Sequence, residues 1–209
     1  MNMEKRDFDK RAESWDQKTG RVKLARDVAS AIIEEIDLSR DADVLDFGCG
    51  TGLLTLQLQP LVHSITGVDS SHGMLDVLNS KIKEQKLTNV KTEFVDTEKG
   101  DVLKGIYHLV VSSMTFHHIQ NLEILFEQFY KCLLPGGYLC IADLDSDKGK
   151  FHSDNTGVFH FGFDRALMRK LFIQHGFQDV KELTAARVVK DLPDGQPTEF
   201  TVFLMTARK

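Results

Sequence analysis

The sequence contains few cysteines, no excess of positive charge and no long apolar run. Its three cysteines (Cys49, Cys132 and Cys140) show no CxxC spacing and are odd in number, so they indicate neither a disulfide framework nor a zinc site. With 26 lysines and arginines against 31 acidic residues, the composition argues against a broad nucleic-acid-binding surface. No window approaches the ~20 apolar residues of a membrane span, and the charged N-terminus lacks a signal-peptide core. We therefore expect a soluble, cytoplasmic protein.

What the chain does contain is an alternation of short apolar runs with amphipathic stretches, the pattern of repeated βαβ units. At 209 residues with 42% apolar side chains, it can form one domain. The pattern predicts an α/β, Rossmann-like, seven-stranded sheet with helices on both faces, strands 1–5 parallel and a C-terminal antiparallel β-hairpin around "LPDGQP". Strands are predicted at 43–47, 64–68, 90–95, 107–113 and 137–142, and helices over most of the first 36 residues and near 53–60, 71–86, 98–104, 121–134 and 164–175.

The stretch "VLDFGCGTG" (44–52) places a glycine-rich turn between the first strand and a helix. Such turns let backbone amides approach a ligand, but the spacing is G-x-G-x-G, with Leu53 where a dinucleotide fingerprint has its third glycine. Asp46 would put negative charge beside a pyrophosphate, whereas it suits an ammonium group. Asp69, at the end of the second strand, is placed to accept both ribose hydroxyls. The pattern favours a nucleoside with a cationic, phosphate-free tail.

These residues resemble the motifs of class I S-adenosylmethionine-dependent methyltransferases. The matching stretches are "VLDFGCGTG", "GVDSSHGML", "FVDTE", "LVVSSMTFHHI" and "LLPGGYLCIAD", in that order, and "FDKRAESWD" resembles the N-terminal helix of the ubiquinone- and menaquinone-biosynthesis type and related small-molecule enzymes. One departure is Tyr107-His108, where many relatives have an aspartate. The resemblance implies S-adenosyl-L-methionine as cofactor, with S-adenosyl-L-homocysteine as product. It implies cofactor contacts from Trp15, Asp46, Gly48, Cys49, Gly50, Gly52, Asp69, Ser70, Met74, Asp96, Thr97 and Ser112.

The histidines are the candidates for chemistry on the methyl acceptor. His117 and His118 follow the fourth strand at the edge where ligands bind, so either is a candidate catalytic residue, acting as a base or by positioning. His152 and His160 lie much further along the chain. Such spacings do not predict a three-histidine metal site, and we expect no metal. Residues 145–164 are expected to form a loop in which Phe159, Phe161 and Phe163 line and close the acceptor pocket, or pack the last helix onto the sheet.

The resemblance implies one methyltransferase domain, 1–209, in three parts. Residues 1–40 would cover the site, 41–143 would bind the cofactor, and 144–209 would supply the lid segment, the last helix and the hairpin. The expected reaction is in-line methyl transfer to a small-molecule acceptor, by a monomer or homodimer that binds no nucleic acid. Two alternatives stay open. One is an RNA or protein methyltransferase, although the Asn/Asp-Pro-Pro-Tyr stretch common in such enzymes is replaced here by "SSMTFHHI". The other is a non-catalytic S-adenosylmethionine-binding protein.

Overall fold

A single seven-stranded sheet organises the chain. In the computed structural model, which describes residues 6–192 and 195–209, the strand order is β3-β2-β1-β4-β5-β7-β6. Strands β1 to β5 are parallel, and β7 is antiparallel to both β5 and β6. The strands are β1 Asp43–Phe47, β2 Ser64–Asp69, β3 Val90–Phe94, β4 Tyr107–Ser113, β5 Leu133–Leu144, β6 Gln178–Asp191 and β7 Pro197–Arg208. The predicted fold class is confirmed.

Helices cover both faces of this sheet, and side-chain caps define where three of them begin. Ser71, Asn121 and Asp164 each precede a helix and accept a hydrogen bond from a backbone N–H of its first turn. The α-helices are α1 Thr19–Glu35, α2 Thr55–Leu58, α3 His72–Glu84, α4 Leu122–Cys132 and α5 Arg165–Gln174. Short 3₁₀ helices occupy Asp9–Arg11, Trp15–Gln17, Gln59–Leu61, Thr97–Lys99 and Phe116–His118.

Two apolar cores lie on opposite faces of the sheet. One contains Val28 and Ile32 of α1, and the other contains Phe126 and Phe129 of α4 together with Phe172 of α5. All five of these side chains are fully buried. Because both faces are covered, the parallel strands are apolar on both sides, which explains their nearly continuous apolar runs.

Two predicted helices are wrong. Residues 98–104 form only the 3₁₀ turn Thr97–Lys99, which ends at Gly100 with a left-handed φ of 93°. The segment that includes Phe8 and Trp15 forms two separate 3₁₀ turns, because tertiary contacts replace a continuous helix. The Asp9 carboxylate accepts hydrogen bonds from the Ser71 hydroxyl (2.5 Å) and the Gly73 amide (2.8 Å), which tie the segment to the start of α3. The predicted N-terminal helical region includes residues 1–5, and the predicted hairpin turn "LPDGQP" includes residues 193–194. Both of these short segments lie outside the described residues.

The strand order reverses between β1 and β4. In parallel α/β sheets, a crevice for ligands opens at such a point, beyond the carboxyl ends of the strands. The glycine turn after β1, Asp69 at the end of β2 and the histidine pair after β4 all lie at this edge. Within residues 6–192 and 195–209, no helix has both the length and the apolar content to cross a bilayer.

Candidate functional site

A cavity of about 490 Å³ occupies the crevice at the carboxyl edge of the sheet. Its floor is the glycine turn and the end of β2, the N-terminal segment covers it, and the loop after β5 closes its far side. Its volume lies in the usual range for small-molecule sites. The cavity brings most of the sequence-predicted site residues together.

The glycine turn is shaped by close packing at two positions. The amides of Gly48 and Cys49 both donate to the Val68 carbonyl, at 2.8 and 3.1 Å, which holds the turn against β2. Gly48 has a φ of 72°, and a Cβ there would overlap the Thr115 side chain. Gly52 has a φ of 83° and faces Leu78 of α3 instead of the cavity. Gly48 lines the cavity, whereas Gly52 packs against α3 and does not line it, and the cofactor contacts of both stay predictions.

Asp46 is a buried carboxylate that faces the cavity from the end of β1. Only 1% of the residue is exposed, and its Oδ2 accepts a hydrogen bond of 2.6 Å from the Thr55 hydroxyl. Burial raises the pKa of Asp46 to about 7, with a further contribution from the nearby negative charge of Asp69. A cationic ligand group would offset both effects.

Asp69 is held rigidly at the end of β2. Its Oδ2 accepts from the Gly50 amide at 2.8 Å and its Oδ1 from the Ser71 amide at 2.9 Å. The carboxylate lines the cavity, and a carboxylate oxygen can accept more than one hydrogen bond.

The N-terminal segment forms a cover over the glycine turn. Trp15 lines the cavity, and the Arg21 guanidinium stacks 3.5 Å from the centre of its ring. Asp16 accepts a 2.6 Å hydrogen bond from the Thr51 hydroxyl and pairs with Lys81 at 2.5 Å. These contacts join the cover to the turn and to α3.

The other predicted cofactor residues divide into two groups. Ser112 is 1% exposed, donates a hydrogen bond of 2.8 Å to the Phe47 carbonyl, and does not line the cavity. Its neighbour Ser113 does line it, because adjacent side chains on a strand point to opposite sides. The residues that line the cavity as predicted are Cys49, Gly50, Ser70, Met74, Asp96 and Thr97.

Three imidazoles converge at the wall of the cavity. His117 is buried, and its Nδ1 lies 2.7 Å from Oδ1 of the fully buried Asp143 at the end of β5. The Nδ1 of His118 lies 2.6 Å from the Gly157 carbonyl oxygen. His152, from the loop after β5, places its ring centre 5.0 Å from that of His117. We call His117, His118 and His152 the imidazole cluster.

The sequence interpretation did not bring the cluster together. His152 was considered only by its spacing, and Asp143 was missed, although an acidic residue at the end of an apolar strand was a usable signal. His160 lies outside the cluster, with its Nε2 2.9 Å from the Ile119 carbonyl. Burial, followed by the charge of His117, lowers the pKa of both His118 and His152 to about 3. Both rings are therefore neutral at pH 7.

A group of cations lines the same side of the cavity, and sequence patterns did not predict it. Arg6, Lys18, Arg21 and Lys190 all line it, although they come from both ends of the chain. Burial lowers the pKa of Lys190 to about 8, and the charges of Lys18 and Arg21 lower it further. Burial and then the neighbouring Arg11 also lower the pKa values of Arg6 and Arg21. These groups lie close enough for their positive charges to repel one another, and together they make this part of the cavity favourable for an anion.

The phenylalanines of the loop after β5 do not form the predicted pocket wall. Phe163 is 8% exposed and packs in the core near Phe203, while Phe161 is 49% exposed, and neither lines the cavity. Phe159 also lies outside the lining. The pocket is lined instead by the earlier part of the loop, through Phe151 and His152. The pocket-lid interpretation of the three rings is therefore wrong, and core packing explains Phe163.

Comparison with known proteins agrees with this geometry. Residues 19–182 match a family model described as a methyltransferase domain. An uncharacterised methyltransferase of Schizosaccharomyces pombe is 33% identical over 133 residues, covering 57% of this chain and 47% of the relative. Malonyl-[acyl-carrier protein] O-methyltransferase of Acetivibrio thermocellus is 27% identical over 187 residues, which cover 87% of this chain and 60% of the relative. The chain thus spans about half of the length of these curated relatives.

Among solved structures, the fold is similar to a chain of the complex that contains the Haloferax volcanii Trm112 methyltransferase activator. The TM-score is 0.78 at 17% identity, covering 97% of this chain and 98% of the other. At this identity, the similarity describes the fold alone.

Proposed function

The chain belongs to the methyltransferase-domain family, within the class I S-adenosylmethionine-dependent methyltransferases, and on this premise we propose that it methylates an oxygen of a small, anionic acceptor. The observation that carries the proposal is the shared cavity. Asp46, Asp69, the imidazole cluster and the cations all line this one cavity. We propose a single domain in which the described residues of 1–40 contribute the cover and three of the cations, those of 41–143 the cofactor-binding core with His117 and His118, and those of 144–209 the rest of the acceptor wall with His152 and Lys190.

The residues at the cofactor side fit S-adenosylmethionine. A buried carboxylate of raised pKa at Asp46 suits its ammonium group, and the Asp69 carboxylate, held at the cavity by two backbone amides, would accept from the ribose hydroxyls. Asp96 and Thr97 line the cavity where the adenine would lie, and Trp15 would cover it. When bound, the cofactor supplies an electrophilic methyl group on a sulfonium.

The cations define the charge of the proposed acceptor. One of them is needed for the cofactor's own carboxylate, and the others remain for a second anion. Lys190 is well placed, because its Nζ lies 3.3 Å from the centre of the Phe151 ring and donates to the Phe151 carbonyl at 2.8 Å. These contacts hold the ammonium at the cavity wall. The name of the Acetivibrio thermocellus relative describes methyl transfer to oxygen, which supports an oxygen nucleophile.

His117 and His118 would hold the nucleophilic oxygen. A carboxylate at Asp143 only accepts hydrogen bonds, so the Nδ1 of His117 donates to it, and in the neutral tautomer of this ring the Nε2 has a lone pair. The Gly157 carbonyl fixes His118 in the same way. Methyl transfer depends mainly on alignment of the nucleophile with the sulfonium, and two oriented rings supply it.

The test is product formation with radiolabelled S-adenosylmethionine and a metabolite extract separated by charge into anionic, neutral and cationic fractions. We expect label in the anionic fraction. Lys190→Gln should raise the acceptor KM by about 10- to 150-fold, the equivalent of one charged hydrogen bond, and leave cofactor affinity unchanged. Lys181→Gln is the matched control, because Lys181 lies on the same strand but pairs with Glu35 outside the cavity.

Three outcomes contradict the proposal. Label in RNA or protein retained from the same extract would assign a macromolecular acceptor. Label confined to neutral or cationic metabolites would show that the cations do not select the acceptor. Tight cofactor binding without product in any fraction would identify a non-catalytic binder.

A further inference from the structure

The imidazole cluster has the ligand types and proximity of a metal site. One nitrogen from each of His117, His118 and His152 lies within 4.8 Å of the other two. The ring centres are 4.1 Å apart for His117 and His118, and 5.0 and 5.8 Å from each of these to His152. Two ligands follow β4 and the third comes from the loop after β5, so the site would join two elements at the acceptor wall.

The hydrogen bonds at the Nδ1 atoms of His117 and His118 are of the kind found at metal-binding histidines. Such histidines usually donate their second ring N–H to a carboxylate or a backbone carbonyl, which fixes the tautomer. His117 has Asp143 as that partner, and His118 has the Gly157 carbonyl. In the neutral tautomers that donate from Nδ1, both Nε2 atoms present lone pairs to a metal ion.

His152 supplies an independent indication. Its Nε2 is buried and has no hydrogen-bond partner among the described residues. Buried polar atoms without a partner are rare, and such an atom beside two lone pairs is explained by an absent ligand. Its Nδ1 lies 3.4 Å from a nitrogen of Arg6, at the long limit of a hydrogen bond, and Arg6 also contacts the Asp154 carbonyl.

We propose that His117, His118 and His152 bind one divalent transition-metal ion through their Nε2 atoms, with a further coordination position open to the cavity. Imidazole ligands suit Zn²⁺ and exclude Mg²⁺ or Ca²⁺, which prefer oxygen, and three protein ligands with one open position is the arrangement of catalytic zinc sites. Nitrogens that are ~2.1 Å from a tetrahedral ion lie roughly 3.4 Å apart, so the cluster contracts on binding. The loop that carries His152 allows this movement, and the Arg6 guanidinium turns from His152 toward Asp154.

The catalytic consequence rests on the proposed function, with the ion in place of the direct contact between the His117 and His118 rings and the nucleophilic oxygen. An acceptor hydroxyl oxygen at the open position becomes more acidic and loses its proton to water near neutral pH. The oxygen lone pair then forms the bond to the methyl carbon as the carbon–sulfur bond breaks, and S-adenosylhomocysteine leaves. The metal site itself does not depend on this step.

The experiment measures metal binding without cofactor or acceptor. Full-length, tag-free protein is stripped with a chelator and titrated with Zn²⁺ by calorimetry, and with Co²⁺ by visible absorption. We expect one ion per chain and the intense bands of four-coordinate Co²⁺. His152→Gln and His117→Gln should each weaken Zn²⁺ binding by roughly 100-fold or more, and Asp143→Asn by about 10- to 100-fold, since outer partners have that effect.

His160→Gln is the matched control, because His160 lies on the same loop with its Nε2 directed to the Ile119 carbonyl, and we expect wild-type Zn²⁺ affinity. Arg6→Gln should strengthen binding, because an amide oxygen can accept from His152 where a guanidinium cannot. Absence of a one-to-one complex, or equal losses in the His152 and His160 variants, would overturn the metal site. If His117→Gln does not fold, the His152 variant gives the same test. Because no methyl transfer is measured, failure of the proposed reaction leaves this result readable.

Discussion

Replacing Asp69 with alanine tests the cofactor assignment most directly. The Asp69 carboxylate lines the cavity and accepts from the Gly50 and Ser71 amides, so its orientation is fixed before any ligand binds. The proposed cofactor adds two ribose hydroxyls as donors. The variant removes the acceptors for these hydroxyls and for both amides.

The size of the effect follows from the two charged hydrogen bonds. Each contributes about 1.5–3 kcal/mol, and since they share one carboxylate they are not additive, so we expect a loss of ~2–4 kcal/mol of binding free energy. This corresponds to a dissociation constant for S-adenosylmethionine about 30- to 900-fold higher. Stability should also fall by about 1–3 kcal/mol if the freed Gly50 and Ser71 amides find no other partner.

Calorimetry with S-adenosylmethionine measures the affinity, and denaturant unfolding measures the stability. Asp43→Ala is the matched control. Asp43 also accepts hydrogen bonds across two strands, from Ser64 and His63, but it lies at the first residue of β1, away from the cavity. The control should lose stability and keep cofactor affinity. Unchanged affinity in a folded Asp69→Ala protein would refute the assignment.

Three further predictions follow from local geometry and charge. Gly48→Ala should lower the free energy of unfolding, measured with urea, by about 1–3 kcal/mol, since it combines left-handed backbone strain with overlap of Thr115. The loss should exceed that of Gly136→Ala, where φ is 79° but a Cβ would meet no atom within 4 Å. Burial raises the pKa of Asp46 from 3.8 to about 7, so the contribution of this carboxyl to stability falls as the pH rises from about 4 through 7. Titration calorimetry should show tighter S-adenosylmethionine binding as the ionised form appears above pH ~7. An affinity that does not change with pH would exclude contact between Asp46 and the ammonium. Burial lowers the pKa of Lys190 from 10.5 to about 8, so its loss of charge stabilises the folded protein as the pH rises from 8 to 10.5, and steady-state kinetics should show the acceptor KM rising above pH ~8; the rise should be absent in Lys190→Gln.

Local patterns along the chain were sufficient for the sheet and for the cofactor side. The apolar runs placed strands β1 to β5 within a few residues, except that β5 begins at Leu133 and extends to Leu144. Asp46 and Asp69 were found because each ends an apolar strand, and parallel strands bring their carboxyl ends to one edge. Backbone periodicity and turn chemistry operate over a few residues, so the sequence records them directly.

Other features required the side-chain environment. Gly52 and Ser112 belong to the same sequence motifs as residues that line the cavity, but neither of them lines it. Gly52 packs against Leu78, and the Ser112 hydroxyl donates to the Phe47 carbonyl. Phe163 alternates with Phe161 in sequence, yet one is buried in the core and the other is half exposed. Spacing alone cannot distinguish these outcomes, because burial depends on what the rest of the chain packs against each residue.

By itself, the sequence determined the fold class, the family and the two carboxylates, Asp46 and Asp69, at the carboxyl edge of the sheet, because these depend on short-range pattern and strand order. Only the tertiary structure decided the acceptor wall. His152 meets His117 across an interval of 35 residues through the loop after β5, and Lys190 joins Arg6 from the opposite end of the chain. No local periodicity encodes such meetings, since they arise where separately formed elements pack around the crevice.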